Sequence, residues 1–576
     1  MRLKSLILFL IFSFLFSNTF NSYAMMHHPD DPAKMAEHMA LLNLVSEDTM
    51  THKAVKNGSW FEASTWSPAE VPDDNARVLI PENLTVSFSG TSTKRIKYIR
   101  VNGSLIFDAN SDSLLYVDTI VGDTTSYLEI GTKAAPVTSS VKIVFLDNGA
   151  LDRNIDPQQL SRGMVVHGKT SIVGQAKDSH MKIARDAFAG DTELLLSKIP
   201  MNWKVGDEII LGSTHYKRMR WGDKSPYVTE DEIRTISSIS GNTIGLDKPL
   251  DFDHDSPRAD LKAYVANASR NIIFENENQN VPNNQRAHTM FMHSHKVDLR
   301  YASFIGLGRS DKSYPFDDFK LDENGKRIFT GPSYRPTYYK EDPLLIDNMR
   351  GRYPVHFHRV GVMHQDEPAI AVGNVVLGSP GWGIIHHDSH AIIEHNLVYD
   401  SYGAGIVAET GNETGIWRKN IVIKSGGRSG IAKHTANFDV GFQGVGYWYQ
   451  GRLVSNEENV AISQKSHGIV YMHRGSDNLP VYSAHSDIPE VFKGKEMAPT
   501  DKPPIHNFHD NEVIASGRAL EIIKASMKQG HDHRSMLDGL IAWEVDSGAL
   551  LQYTAHYTLK DFDLIRSKSS YQDGWG

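Results

Sequence analysis

Short apolar runs punctuated by Gly, Asn and Asp fill most of the chain after residue 52. Examples are ARVLIPENLTVSF, IKYIRVNGSLIF, SVKIVFL, TELLLS, DEIILGS and NTIGLDKPL. Runs of this length, closed by turn formers, predict many short strands. A short helical pattern, DPAKMAEHMALLNLV, lies in a polar lead-in over residues 25–52, and few others occur.

From about Asn271 the runs become a repeat. NVVLGSPGWGI, NLVYDSYGAGI, NIVIKSGGRSGI, NVAISQKSHGI and NEVIASGRAL start at Asn374, Asn396, Asn420, Asn459 and Asn511, and GLIAWEVDSGALLQ is a degenerate copy. Four of the five carry Ser five positions on, at Ser379, Ser401, Ser425 and Ser516. The clean steps, Asn374 to Asn396 and Asn396 to Asn420, are 22 and 24 residues. A period in the low twenties with strands and no helix predicts a parallel β-solenoid, because one coil cannot bury its own inner face. Asn suits its turns, since its side chain bonds to backbone and tolerates left-handed geometry.

The second residue of the pair that closes each repeat is aliphatic: Ile384, Ile406, Ile431, Ile469 and Leu520. This column is expected to point inward. Strand alternation then sends the residue three further on outward. Those residues are His387, Glu409, His434, Met472 and Ile523, so successive coils would stack imidazole, carboxylate and imidazole about 4.8 Å apart.

The stretch GRYPVHFH, Gly351 to His358, has the same alternation. Val355 and Phe357 are expected inward, His356 and His358 outward. Two imidazoles two apart on a strand suit a metal site or a proton-transfer pair, and also a plain polar ladder. RAHTMFMHSHKVDLRYASF supplies His288, His293 and His295, and repeats the His-x-His spacing. Arg352 and Arg359 flank the central motif; each is a candidate clamp for a carboxylate or an ordinary ion-pairing residue. Trp382, Tyr402, Trp417, Tyr447, Trp448 and Tyr449 are platforms for sugar rings or, more simply, packing residues.

Composition narrows the class. The 576 residues carry a formal charge of -9, 40% hydrophobic residues, 27 His and no Cys. There is no basic excess for nucleic acid. The first 24 residues, MRLKSLILFLIFSFLFSNTFNSYA, read as a secretory signal peptide, so a soluble chain without disulfides, secreted, periplasmic or on the cell surface, is expected. Nucleophile elbows, phosphate loops and cysteine metal clusters are absent. The densest titratable group is histidine with one glutamate, which fits proton abstraction or metal-assisted hydrolysis.

Several segments in order resemble the eight-glycine-domain family that includes the cell-migration-inducing hyaluronan-binding protein, its transmembrane relative and fibrocystin-like proteins. They are NGSWFEASTWSPAEVPDDNARVLIPENLTVSF, NWKVGDEIILGST, EDEIRTISSISGNTIGLDKPLDFDHD, GRYPVHFHRVG, GIIHHDS, GIVAETGNE, NVAISQKSHGIVYMH and PIHNFHDNEVIASGRALEII. The resemblance runs from about residue 57 to at least 525, while FIGLGRSDKSYPFDDFKLDENGK is similar to bacterial members. It implies an all-β protein: an eight-glycine domain (53–180), a β-rich connecting module (181–270), a right-handed parallel β-helix (271–566) and a tail (567–576). The chain departs from the animal relatives in lacking their carbohydrate-associated domain and their cysteines.

The resemblance also implies binding and depolymerisation of hyaluronan or another acidic polysaccharide. It favours His356, His358, His387 and Glu409 as catalytic residues, and the same four as ligands if a divalent metal, calcium or zinc, is used. Arg352, Arg359, Lys433, His434 and His473 are substrate-binding candidates; His473 matches a family histidine although its parity from Ile469 is inward. A non-catalytic polysaccharide-binding or adhesion protein on the same scaffold is the alternative, and a purely structural solenoid a third.

Overall fold

In the computed structural model the described residues are chiefly 32–218, 226–313, 348–362, 367–427, 440–472, 503–523 and 534–567, with a few short pieces between. The leader sequence, Lys433, His434 and His473 lie outside them.

The protein is a parallel β-helix. One continuous ladder takes in strands from His52–Ala54 to Asp563–Arg566. Parallel pairing is present well before residue 271, where the repeat becomes legible: Arg77–Ile80 pairs with Thr91–Val101, which pairs with Ser113–Gly122. The ladder continues from Val141–Phe145 directly to Ile272–Asn276. Between them, Gly163–Val166 and Lys169–Val173 stay in the ladder, and 180–267 forms a separate six-stranded sheet of antiparallel pairs. That module has its own core around Leu196, Ile209, Leu211, Ile244 and Val265.

Alternation drives the coil. Val376, Val398, Val422 and Ala461 point into the central core, while their neighbours Val375, Leu397, Ile421 and Val460 point outward. The outward set is also buried, because Ile210, Leu261 and Ala266 of the inserted module pack on it. Both faces of these strands therefore lose water, which explains their nearly continuous apolar sequence.

The Asn column is a hydrogen-bond ladder along one corner. Asn374 Nδ2 donates to Asn396 Oδ1 (3.0 Å), Asn396 Nδ2 to Asn420 Oδ1 (2.9 Å) and Asn420 Nδ2 to Asn459 Oδ1 (2.9 Å). Asn459 donates its backbone N–H to Asn511 Oδ1 at 3.0 Å. All five are buried, so each amide side chain satisfies groups that no water reaches.

The inner column differs from expectation at one rung. Ile384 pairs with Ile406, but Ile406 pairs with Tyr447, which pairs with Ile469 and then Leu520. Tyr447, on the strand Val445–Tyr449, and not Ile431 therefore occupies the inner column between Ile406 and Ile469; Ile431 lies outside the described residues.

The helix Pro32–Leu44 lies across the outside of the early coils. Leu41 and Val45 pack on Val121, Leu160, Val165, Met290 and Met292. Among the described residues no helix is long and apolar enough to cross a membrane.

Candidate functional site

Three adjacent strands build the site. His288–Met292, Val355–Gly361 and Ile384–Glu394 pair in parallel, with Met290 beside His356, Met292 beside His358, and His358 beside His387. Val355 and Phe357 enter the central core, which forces His356 and His358 to the other face. On the next coil Ile385 pairs with Val407 and His386 with Ala408, and Glu409 donates its backbone N–H to His386 O (3.0 Å). Glu409 thus follows His387 along the column. The buried carboxylate of Glu413 fixes the turn that carries it, accepting the N–H groups of Thr410 (2.6 Å) and Gly411 (2.7 Å).

The four residues converge. His358 Nδ1 is 3.1 Å from His387 Nδ1, His387 Nδ1 is 3.6 Å from Glu409 Oε2, and His356 Nε2 is 3.9 Å from the same oxygen. The rings of His356 and His387 stack at 5.7 Å, with the His358 ring edge-on to both.

His356 is outward from the coil yet only 1% exposed, beneath Tyr353. Its Nδ1 donates to Gly351 O at 3.0 Å. That fixes the tautomer and leaves Nε2 as a lone pair. This Nε2 is buried and has no hydrogen-bond partner among the described residues. Gly351 has φ of 81°, a conformation that favours glycine and turns its carbonyl toward the ring. Burial, then the neighbouring His358 and His387, hold the His356 imidazole well below the ordinary histidine value, so it is neutral. His358 is pulled down to about 4 by burial, against the opposing hydrogen bond it donates to Glu37.

A lone pair beside two further imidazoles and a carboxylate is an arrangement that could hold a metal ion. One nitrogen from each of His356, His358 and His387 lies within 4.8 Å of the others. Three nitrogens suit zinc and related transition ions; calcium prefers six to eight oxygens and does not match.

Two residues come to the site from outside the predicted set. Glu37, on the helix Pro32–Leu44, places Oε2 2.9 Å from His293 Nε2, 3.2 Å from His358 Nε2 and 3.5 Å from Arg359 Nη1. Burial pushes the Glu37 carboxyl up, but hydrogen bonds from His293 and His358 outweigh it and hold the group well below the usual carboxylate range. His293 was visible as part of a His-x-His run; Glu37 carried no local signal beyond a helical pattern. Beside them His38 and His167 bring their Nδ1 atoms to 2.7 Å, and the ring of His167 lies 5.1 Å from that of His293.

Arg352 is not a carboxylate clamp. It is buried, and its guanidinium donates to the carbonyls of Gln159 (2.9 Å), Gln158 (2.6 Å) and Arg350 (3.0 Å). It ties the turn before His356 to the loop at 158–159. Arg359 stays partly exposed, 4.0 Å from Asp388. Gln450 stands on the rung beyond Glu409, donating its N–H to Ala408 O at 3.1 Å. His288 is buried with its Nδ1 on Arg162 O, and His295 pairs with Glu367 at 2.9 Å; neither joins the cluster. Trp382, Trp417, Tyr447, Trp448 and Tyr449 are buried packing residues, and Tyr402 is half-buried.

Residues 65–184 match the G8 domain family and residues 347–514 the CEMIP beta-helix family. A G8 domain-containing protein of Dictyostelium discoideum is 24% identical over 331 residues, 56% of this chain and 20% of the relative. Protein rliB of the same organism is 25% identical over 314 residues, 53% of this chain and 24% of its own. The chain thus spans about a fifth to a quarter of the length of these relatives. The tailspike protein gp49 from Pseudomonas phage LKA1 aligns over 86% of this chain and 74% of its own, at 10% identity and a TM-score of 0.17. The Gp54 tailspike of Acinetobacter baumannii bacteriophage AP22, solved with A. baumannii capsular saccharide, covers 84% and 70% at 10% identity and a TM-score of 0.18. At those scores neither tailspike informs the function of this chain.

Proposed function

This chain is a G8- and CEMIP-like β-helix protein, and from that premise we propose that it depolymerises an acidic polysaccharide outside the cytoplasm. The observation that carries the reading is the convergence of His356, His358, His387 and Glu409, with the buried His356 Nε2 left as an unpartnered lone pair. A structural solenoid gains nothing from drawing three imidazoles and a carboxylate together, and an unpartnered buried nitrogen among them costs about 1–3 kcal/mol. The family resemblance supplies the substrate class, a hyaluronan-like polymer, and the exposed part of Arg359 offers a guanidinium for its carboxylates.

In this reading His356, His358 and His387 would hold a zinc-type ion. When bound, such an ion supplies Lewis acidity and an activated water. Glu409, within 4 Å of both His356 and His387, takes up or returns the proton exchanged during cleavage. Tyr353 and the apolar residues around His356 exclude water from the inner side of the cluster.

The test is to incubate the full chain with hyaluronan, chondroitin or alginate, with zinc, calcium or chelator, and to follow polymer size and unsaturated-uronate absorbance. Zinc-dependent loss of size without that absorbance is the expected result. Size loss accompanied by absorbance means β-elimination. Retention on immobilised polysaccharide with no size change for any polymer overturns the enzyme reading in favour of a binding protein.

A further inference from the structure

We propose that Glu37, on the helix Pro32–Leu44, is a positioning residue that orients His358 as a ligand of the metal site. The inference rests on the metal reading of the His356–His358–His387 cluster given above. Glu37 itself lies outside both family matches, since its helix precedes residue 65.

An imidazole can bind a metal through one nitrogen only if the other carries the proton. The partner of that other nitrogen therefore selects the liganding atom. His358 Nε2 is 3.2 Å from Glu37 Oε2. An ionised carboxylate only accepts, so Nε2 carries the hydrogen. Nδ1 is left as the lone pair, and Nδ1 is the atom that faces His387 Nδ1 at 3.1 Å. The arrangement is a carboxylate–histidine pair aimed at a metal position.

The placement of Glu37 is built into the helix. Leu41, four residues later and so on the same helix face, is buried against Val121, Val165 and Met290. Glu37 is thereby held over the strand Val355–Gly361. The same oxygen also meets His293 Nε2 at 2.9 Å and Arg359 Nη1 at 3.5 Å. Glu37, His293 and His358 are themselves close enough to ligate an ion. Arg359 argues against one there, since its guanidinium already neutralises the carboxylate and would repel a second cation. One metal per chain is expected.

The experiment uses the full chain and zinc(II) alone. Zinc affinity is measured by competition with a chromogenic chelator for wild type, Glu37→Gln and Glu37→Leu, with circular dichroism confirming the fold. Cobalt(II) substituted for zinc reports ligand geometry through its visible spectrum. Wild type is expected to bind one zinc. Gln keeps an acceptor but not the charge and should weaken binding about 10-fold, and Leu about 100-fold, with altered cobalt bands. If both folded variants match wild type in zinc affinity and cobalt spectrum, Glu37 only packs the helix and the inference is overturned, while the metal reading stands. Two zinc ions per wild-type chain also overturn it, by making Glu37 a ligand. No zinc uptake by wild type overturns the metal reading itself, and this inference with it.

Discussion

The Nδ1 atoms of His358 and His387, on adjacent coils, stand 3.1 Å apart. At that separation the pair needs one proton, or one cation, between two lone pairs. Removing either ring should abolish the site without disturbing the coil, because both side chains point away from the central core. His358→Ala and His387→Ala are each expected to lower zinc affinity and polysaccharide cleavage by about 100-fold or more, with little change in thermal midpoint. Metal titration and size-exclusion of digested polymer check both quantities.

The two arginines that flank the motif should separate cleanly. Arg352→Ala leaves the carbonyls of Gln158, Gln159 and Arg350 without their donor in a buried turn, and should cost about 3 kcal/mol in urea unfolding. Arg359→Ala is expected to change stability by less than about 0.5 kcal/mol. It should instead raise the apparent KM for a uronate polymer while leaving that for a neutral one unchanged.

Asn396 is an interior rung of the corner ladder. Its Oδ1 accepts the backbone N–H of Asn374 at 2.9 Å and Asn374 Nδ2 at 3.0 Å, and its Nδ2 donates to Ala371 O and Asn420 Oδ1, both at 2.9 Å. Asn396→Ala orphans several buried groups at once, at about 3 kcal/mol. Asn396→Asp keeps the acceptor, loses the donor and buries a charge, so it should be worse. Urea midpoints of the two variants provide the comparison.

His386 sets an acid limit on stability. Its Nε2 donates to Ser389 O at 2.8 Å and its Nδ1 accepts from Trp417 Nε1 at 3.2 Å, so a second proton would face a donor. Burial brings its value down from 6.5 to about 3. The unfolded chain takes up a proton near pH 6.5 and the folded chain resists until about pH 3. Stability is therefore full above pH 6.5 and falls as pH drops toward 3, by about 1.4 kcal/mol per unit for this group. His386→Gln preserves both bonds without titrating. Between pH 7 and pH 5 it should lose about 2 kcal/mol less than wild type in urea unfolding.

How much of this was legible beforehand depended on distance along the chain. The Asn column and the inward aliphatics repeat locally, and they read out as a ladder and a core. Parity from Val355 and Phe357 put His356 and His358 on the correct face, and the same logic joined His387 to Glu409. Parity is silent about what covers a face, so it did not show that Tyr353 buries His356 or that Arg352 turns inward to carbonyls. The Gly430-Ile431 pair carries the same local pattern as a rung, and nothing in that pattern tells that Tyr447 takes the inner place beside Ile406. Glu37 was out of reach for a different reason: nothing near it in sequence says that its helix folds back onto a strand 321 residues away.

That span has a consequence for how the molecule is made. In a solenoid each coil contacts only its neighbours, so folding can start at any coil and spread from it. The helix bearing Glu37 packs on Val121 and Val165, but its carboxylate meets His358 only when the coil of Val355–Gly361 is also in place, 321 residues further along the chain. The contact between Glu37 and His358 therefore reports that two parts of the molecule far apart in sequence have both folded.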